Sequence, residues 1–158
     1  MSKLHPPALP LRGGCSCEAV RYAISAMPLL IYACHCTQCQ RASGSAFGLS
    51  MPVAAENFVL IRGKPKPWRR SGPGGVEDTS WFCGECGGCI FGQSLKHLGI
   101  ITVRAGTLDE TWWLRPIAIV GLRSAQAWQR IHNNAECFHA IPQDVFSLSQ
   151  KWRQMWRW

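Results

Sequence analysis

Seven of the nine cysteines in this 158-residue chain fall into three tight clusters that could supply ligands to metal ions. The clusters are Cys15-Ser16-Cys17, Cys34-His35-Cys36-Thr37-Gln38-Cys39 and Cys83-Gly84-Glu85-Cys86. Short spacings of this kind let two or three sulfurs reach one ion from a single turn, as in protein zinc sites. Two pairs supply the four thiolates of a closed site, whereas the middle triplet supplies three. A three-thiolate zinc keeps one position open for chemistry.

The two pairs predict a structural zinc site. Pairing Cys15 and Cys17 with Cys83 and Cys86 would tie the start of the domain to a hairpin far along the chain. Nothing can bind such an ion without displacing a ligand, so the metal would contribute folding energy rather than chemistry.

The triplet Cys34, Cys36 and Cys39 predicts a second, catalytic zinc site with an exchangeable fourth ligand. Zinc has no redox chemistry, so it would act as a Lewis acid or activate a thiolate. Arg41 follows closely in the sequence, and we expect it to contact an anionic substrate.

Other ligands and metals remain open for the triplet. His35 and Cys89 could each complete its coordination, although a residue between two ligands on an extended chain usually points away from the metal. Thiolate clusters also bind iron–sulfur centres, but the four-cysteine set with a Gly-rich second knuckle favours zinc.

Three sequence blocks resemble the glutathione-dependent formaldehyde-activating enzyme family, which also includes the domain of centromere protein V. The blocks are Gly14-Cys15-Ser16-Cys17-Glu18-Ala19-Val20-Arg21-Tyr22, Cys34-His35-Cys36-Thr37-Gln38-Cys39-Gln40-Arg41 and Phe82-Cys83-Gly84-Glu85-Cys86-Gly87. The resemblance covers about residues 11 to 130. It implies a mainly-β zinc fold, two zinc ions per chain held by the two cysteine groups, and carbon–sulfur lyase chemistry that joins glutathione to formaldehyde as S-(hydroxymethyl)glutathione.

The chain departs from the family pattern in two segments. Cys86-Gly87-Gly88-Cys89-Ile90 stands where relatives often read Cys-Gly-Ser/Thr-Pro-Leu, which adds the thiol of Cys89. Many relatives also carry a histidine where Ile119 stands and an aromatic residue at Gly121. Loss of a catalytic histidine at position 119 would change the activity.

Two functions of different classes follow from these features. The first is a zinc-dependent lyase acting on an aldehyde adduct of glutathione or a similar small thiol. The second is a non-catalytic zinc module that binds protein or nucleic acid. The incompletely ligated triplet favours the enzyme, because an interaction module gains nothing from an open metal position.

The net charge and the composition limit the classes of binding partner that we expect. The formal net charge of +8 should attract anions, but the Lys and Arg residues are scattered rather than clustered, which argues against a nucleic-acid groove. No segment has a signal-peptide core or the roughly 20 apolar residues of a membrane span. We therefore expect a cytoplasmic protein, in which clustered cysteines are metal ligands rather than disulfides. A homo-oligomer is left open.

Short alternating apolar segments separated by Gly and Pro predict an antiparallel β-sandwich or barrel-like fold with a short C-terminal helix. Residues 1–10 are expected to be a flexible leader and 11–142 the zinc-binding β domain. Apolar residues at helical spacing over 144–156 predict an amphipathic helix, so that 143–158 forms a C-terminal helical segment packed on the domain. The predicted strands are Ala19–Ile24, Leu29–Ala33, Phe47–Val53, Phe58–Arg62, Ser80–Phe82, Ile90–Gln93, Ile100–Arg104 and Pro116–Leu122.

Overall fold

The computed structural model describes residues 4–71, 75–130 and 135–156, and its elements are predominantly strands. The strands are β1 (Leu11–Gly14), β2 (Arg21–Ile24), β3 (Tyr32–Cys34), β4 (Gly48–Ala54), β5 (Phe58–Arg62), β6 (Lys66–Ser71), β7 (Glu77–Phe82), β8 (Cys89–Ser94), β9 (Ile100–Arg104), β10 (Ala118–Val120) and β11 (Glu136–Cys137). The α-helices are α1 (Thr37–Ser43) and α2 (Ser149–Gln154). Single 3-10 turns lie at Ala55–Asn57, Leu95–His97, Ala105–Thr107, Leu122–Ser124 and Phe146–Leu148.

Within the described ranges the strands form two sheets. The small sheet has the order β1-β2-β5, and the large one has the order β11-β10-β3-β4-β9-β8-β7-β6. Neighbouring strands are antiparallel except that β10 runs parallel to both β3 and β11. The predicted mainly-β fold with a short C-terminal helix is confirmed.

The main core lies between the two sheets. Met51, Val103 and Phe91 are cross-strand neighbours on β4, β9 and β8, and each is at least nine-tenths buried. Tyr22 of the small sheet stacks on Phe58 at a ring-centroid distance of 5.3 Å, and Phe58 in turn lies 4.9 Å from Phe91. Because side chains alternate along a strand, the residues between these core positions face the other side of the large sheet.

The sequence did not predict strands β1, β6 and β11 or helix α1. The segment 63–67 reads as a Gly-Pro loop, yet β6 begins at Lys66 and includes Pro67. A proline is tolerated there because β6 is the edge strand of the large sheet and pairs only with β7 among the described strands. Residues 72–74 of the second predicted loop lie outside the described residues.

The C-terminal helix is shorter than the predicted 144–156 segment. A 3-10 turn over Phe146–Leu148 leads into α2, which ends at Gln154. Trp152 and Trp156 are almost fully buried, and their rings meet at 5.1 Å. The backbone of Leu4 bridges that of Trp156. Residues 157 and 158 of the predicted C-terminal segment lie outside the described residues, and the division at 10 and 142 stays a prediction.

No helix of the described segments combines the length and apolar character that crossing a bilayer requires.

Candidate metal centres

The first group of cysteines joins two turns that are distant in sequence. Cys15 and Cys17 lie between β1 and β2, and Cys83 and Cys86 lie between β7 and β8. The four sulfurs lie within 4.8 Å of one another. The Cys15–Cys17 and Cys17–Cys83 sulfurs are 3.5 and 3.7 Å apart. Four sulfurs at about 2.3 Å from a tetrahedral zinc would be about 3.8 Å apart, so this group, called here the quartet, fits such an ion.

Backbone hydrogen bonds shape both turns of the quartet. The Cys15 N–H donates to the Val20 carbonyl, and the Val20 N–H donates to the Cys15 sulfur at 3.3 Å. In the second turn the Gly87 N–H donates to the Cys83 carbonyl at 2.9 Å. Gly87 has a φ of +73°, which suits glycine because that region crowds a Cβ. The turns therefore hold the sulfurs together through main-chain geometry.

The second group lies where β3 passes into α1. Cys34 ends β3, Cys36 is the N-cap of α1, and Cys39 lies in the first turn of the helix. The Cys36 sulfur accepts a hydrogen bond from the Cys39 N–H at 3.4 Å. The three sulfurs lie within 4.8 Å of one another, so this group, called here the triplet, could also hold a metal ion.

The triplet concentrates negative charge even before a cation is considered. Hydrogen bonds from Cys34 and then from Cys39 lower the pKa of Cys36 to about 2. The hydrogen bond to Cys36, a second to Cys39 and burial together raise the pKa of Cys34. These hydrogen bonds favour a thiolate at Cys36. A soft metal ion would replace the remaining protons, because cysteine ligands bind as thiolates.

A cavity of about 480 Å³ opens beside the triplet, and all three triplet cysteines line it. None of the quartet cysteines is among its lining residues. The cavity crosses the outer face of the large sheet, where Ser50, Thr102 and Gly92 stand between the core positions of their strands. The triplet is therefore open to a bound molecule, and the quartet does not share that space.

Most of the charged residues that line the cavity are cations. Its basic residues are Arg70, Lys96, Arg104 and Arg123, and its acidic residue is Asp78. Arg70 and Asp78 approach each other to 3.7 Å. The remaining positive charges favour an anionic ligand.

Arg104 is the cation that lies against the triplet. Burial alone would lower the pKa of its guanidinium, but the charges and hydrogen bonds of Cys89 and Cys39 outweigh burial and raise that pKa. If Gly48 carried a Cβ atom, that atom would lie 3.6 Å from the Nη1 of Arg104 and 3.3 Å from the Cβ of Cys39. The Arg104 Nε is buried without a hydrogen-bond partner, so the site retains an unused donor.

Arg41, the substrate contact expected from the sequence, does not line this cavity. It lies with Gln126 and Trp128 along a separate, shallow depression. Sequence reasoning did not single out Arg104 or Arg123, because neither lies near a cysteine in the chain. The pairing of β4 with β9 brings Arg104 to the site, and a local sequence pattern carries no signal for that pairing.

The two rival fourth ligands lie outside both groups. His35 is 2% exposed, its ring packs on Phe47 at 5.2 Å, and burial lowers its pKa. Cys89 is partly buried at the start of β8 and interacts with Arg104. Neither His35 nor Cys89 has a ligand atom within 4.8 Å of all three triplet sulfurs. The remaining cysteine, Cys137, is exposed on β11 rather than buried as its apolar character suggests.

The two departures from the family pattern at Ile119 on β10 and at Gly121 just after it have different surroundings. Ile119 is 4% exposed and is not a lining residue of the cavity. Gly121 does line it, with a φ of +73°, and a Cβ at this position would come within 3.1 Å of the backbone N of Cys36. The isoleucine therefore removes no side chain from the cavity wall, whereas any side chain at position 121 would crowd the backbone of Cys36.

Comparisons with known proteins show a family and a solved structure of similar fold. A family model described as glutathione-dependent formaldehyde-activating enzyme matches residues 10–123. A crystal structure of a Rhodobacter sphaeroides protein aligns with a TM-score of 0.51 and 18% identity, covering 66% of this chain and 91% of that chain. At that identity the likeness concerns the fold alone. No curated protein matches the sequence.

Proposed function

The chain belongs to the glutathione-dependent formaldehyde-activating enzyme family, and from this premise we propose that it is a zinc-dependent carbon–sulfur lyase. Its reaction would join a small anionic thiol, glutathione in the first instance, to an aldehyde, or reverse that addition. The observation that carries the proposal is the position of the triplet, whose three cysteines line a cavity rich in cations. A purely structural ion has no need of such an opening.

The two cysteine groups would have different roles. The quartet (Cys15, Cys17, Cys83 and Cys86) would hold a structural zinc, and the triplet (Cys34, Cys36 and Cys39) a catalytic one. All-sulfur donor sets suit zinc, and the sulfur separations of the quartet fit a tetrahedral ion. When bound at the triplet, zinc supplies Lewis acidity and stabilises a thiolate at neutral pH.

The cations of the cavity would bind the carboxylates of the thiol. Glutathione carries two carboxylates and one ammonium group, so it is a net anion. Arg104 and Arg123 line the same cavity as Cys36, and a guanidinium can bind a carboxylate through two parallel hydrogen bonds. These residues would orient the ligand so that its sulfur points to the triplet. Arg41 remains a predicted contact from the sequence that could act from outside the cavity.

Neutral hydrogen-bond donors in the cavity would bind the aldehyde oxygen. Tyr32 and Ser50 are cross-strand neighbours on β3 and β4, and both line the cavity. In the addition, the thiol sulfur forms a bond to the carbonyl carbon, the carbonyl π bond breaks towards oxygen, and the thiol proton ends on that oxygen. A hydroxyl donor from this pair would stabilise the negative charge that develops on oxygen. No oxidant or reductant is needed.

We place this reaction in the reducing cytoplasm. All nine cysteines are free, and seven of them form the two groups, which supports metal ligation over disulfide formation. Glutathione is abundant in the same compartment, as the proposed substrate requires.

Calorimetry on protein loaded with two equivalents of zinc tests this proposal. Glutathione should bind to the wild type, and affinity should fall as salt rises, because exposed charges are screened. The Cys36→Ser variant should lose binding, whereas Cys137→Ser, which alters an exposed cysteine outside both groups, should retain it. If no small thiol binds but an oligonucleotide or a protein does, the non-catalytic zinc module is the correct function.

A further inference from the structure

The cavity is larger than a tripeptide thiol requires. Its lining crosses β3, β4, β9, β8 and β7, which are successive neighbours in the large sheet. Four inter-strand spacings of about 4.8 Å place its far side about 19 Å from β3. Three α-linked residues span at most about 10 Å, and the γ-glutamyl link of glutathione adds two methylenes to that length, which is still shorter than the cavity. Space therefore remains after glutathione and a one-carbon aldehyde are accommodated.

One wall of this cavity comes from a part of the chain beyond the family match, which ends at residue 123. The segment before α2 contributes four apolar lining residues, which we call the apolar wall. They are Ile141, Pro142, Val145 and Phe146. Ile100 on β9 adds an apolar side chain from the sheet. The cavity thus combines cations with an apolar surface, and four residues of that surface lie beyond the family region.

The apolar wall is held in place by specific contacts. The Asp144 carboxylate accepts hydrogen bonds from the N–H groups of Phe146 and Ser147 at 2.9 and 3.2 Å. The Phe146 ring meets the edge of His97 at 5.2 Å. Leu148 packs against the small cluster that contains Cys34. The wall is therefore fixed both to the triplet side of the cavity and to the turn after β8.

Ile141 is 49% exposed although it lines the cavity. An apolar residue left accessible at the rim of a pocket gains contacts when an apolar ligand group covers it. Polar ligands such as glutathione offer little surface of that kind.

We infer that the apolar wall binds the aldehyde-derived part of the substrate, and that this part is an alkyl chain of several carbons or an aromatic ring. The inference rests on the proposed function, since it takes the thiol sulfur to lie at the triplet. The preferred substrate is then an adduct of an anionic thiol with an apolar aldehyde, and formaldehyde is a minimal version of it.

Stable thioethers of glutathione test the inference on the full-length, zinc-loaded protein. Calorimetry with S-methyl-, S-butyl- and S-hexylglutathione should show affinity rising about fourfold for each methylene that becomes buried. Phe146→Ala should flatten this rise, so that the ratio of S-hexyl- to S-methylglutathione affinity falls well below that of the wild type. Ile141→Ser should reduce the rise as well, and its exposed position makes misfolding a poor explanation. Trp128→Ala, an exposed aromatic along the separate depression, should leave the series as in the wild type.

Equal affinity for the three thioethers would overturn the inference, as would a full rise in the Phe146→Ala and Ile141→Ser variants. Either result, with glutathione itself still bound, leaves the proposed function standing. If neither glutathione nor any thioether binds, the proposed function fails and the inference fails with it.

Discussion

At the level of single residues, the two cysteine groups differ in what surrounds their sulfurs. Buried Cys15 and Cys83 pair with exposed Cys17 and Cys86 in the quartet, and main-chain turns fix all four. In the triplet, the three cysteines line the cavity together with the guanidinium of Arg104. The first arrangement suits an ion that stays in place, and the second suits an ion that exchanges a ligand.

Replacing Cys83 by serine should unfold the domain. Cys83 is 1% exposed, and a structural zinc contributes about 10–16 kcal/mol in small metal domains, which matches or exceeds the usual 5–15 kcal/mol of folding stability. Circular dichroism and zinc content of the purified variant measure the effect. Cys137→Ser is the matched control and should remain folded with its zinc. A folded Cys83→Ser protein with unchanged zinc would show that the quartet holds no structural ion.

Replacing Arg104 by glutamine should weaken glutathione binding about tenfold or more, because a hydrogen bond to a charged group contributes about 1.5–3 kcal/mol. Titration calorimetry on protein of verified zinc content gives the dissociation constant. Arg41→Gln is the comparison, since that arginine lies outside the cavity. If only Arg41→Gln weakened glutathione binding, the contact that the sequence predicted would be correct and Arg104 would not contact the ligand.

At the level of elements, the strands were the most predictable part of the fold. Phe58–Arg62 and Ile100–Arg104 match β5 and β9 residue for residue, because their apolar residues and bounding turns are local signals. Helix α1 is seven residues long and has no buried residue, so it has no apolar stripe to reveal it. The cysteine groups were also predictable, because short spacings are visible in the chain. The cavity was not, since its residues come from strands that only tertiary pairing brings together.

The C-terminal helix contributes to stability through its tryptophans. Trp152 is fully buried against Trp156, so Trp152→Ala should lower the free energy of unfolding by about 3–5 kcal/mol. Urea denaturation followed by circular dichroism measures this change. Trp128→Ala, at a residue 69% exposed, should change it by less than about 0.5 kcal/mol. Equal effects in the two variants would mean that α2 does not belong to the cooperative fold.

At the level of the whole molecule, the two cysteine groups lie in different parts of one β fold. The quartet joins the small sheet's first hairpin to the β7–β8 turn, whereas the triplet lies at β3 and α1 of the large sheet. Loss of an ion from the triplet breaks no connection between the sheets. The fold should therefore tolerate an empty triplet better than an empty quartet.

A mild chelator should accordingly remove one zinc per chain while circular dichroism stays unchanged, and a stronger one should remove the second with unfolding. Three protein ligands bind an ion less tightly than four, which sets the order. Metal analysis after each step, alongside the spectrum, records both events. Release of both ions in one step together with unfolding would contradict separate roles.

Exchange of ¹³C-formaldehyde between its free hydrate and its glutathione adduct tests the central claim most directly, because it measures carbon–sulfur bond formation itself. Two-dimensional exchange NMR at neutral pH compares zinc-loaded protein with buffer. The account predicts a rate well above the spontaneous one for the wild type, and a return to the spontaneous rate in Cys36→Ser. A wild-type protein that carries two zinc ions, binds glutathione and leaves the exchange at its spontaneous rate would contradict the lyase assignment.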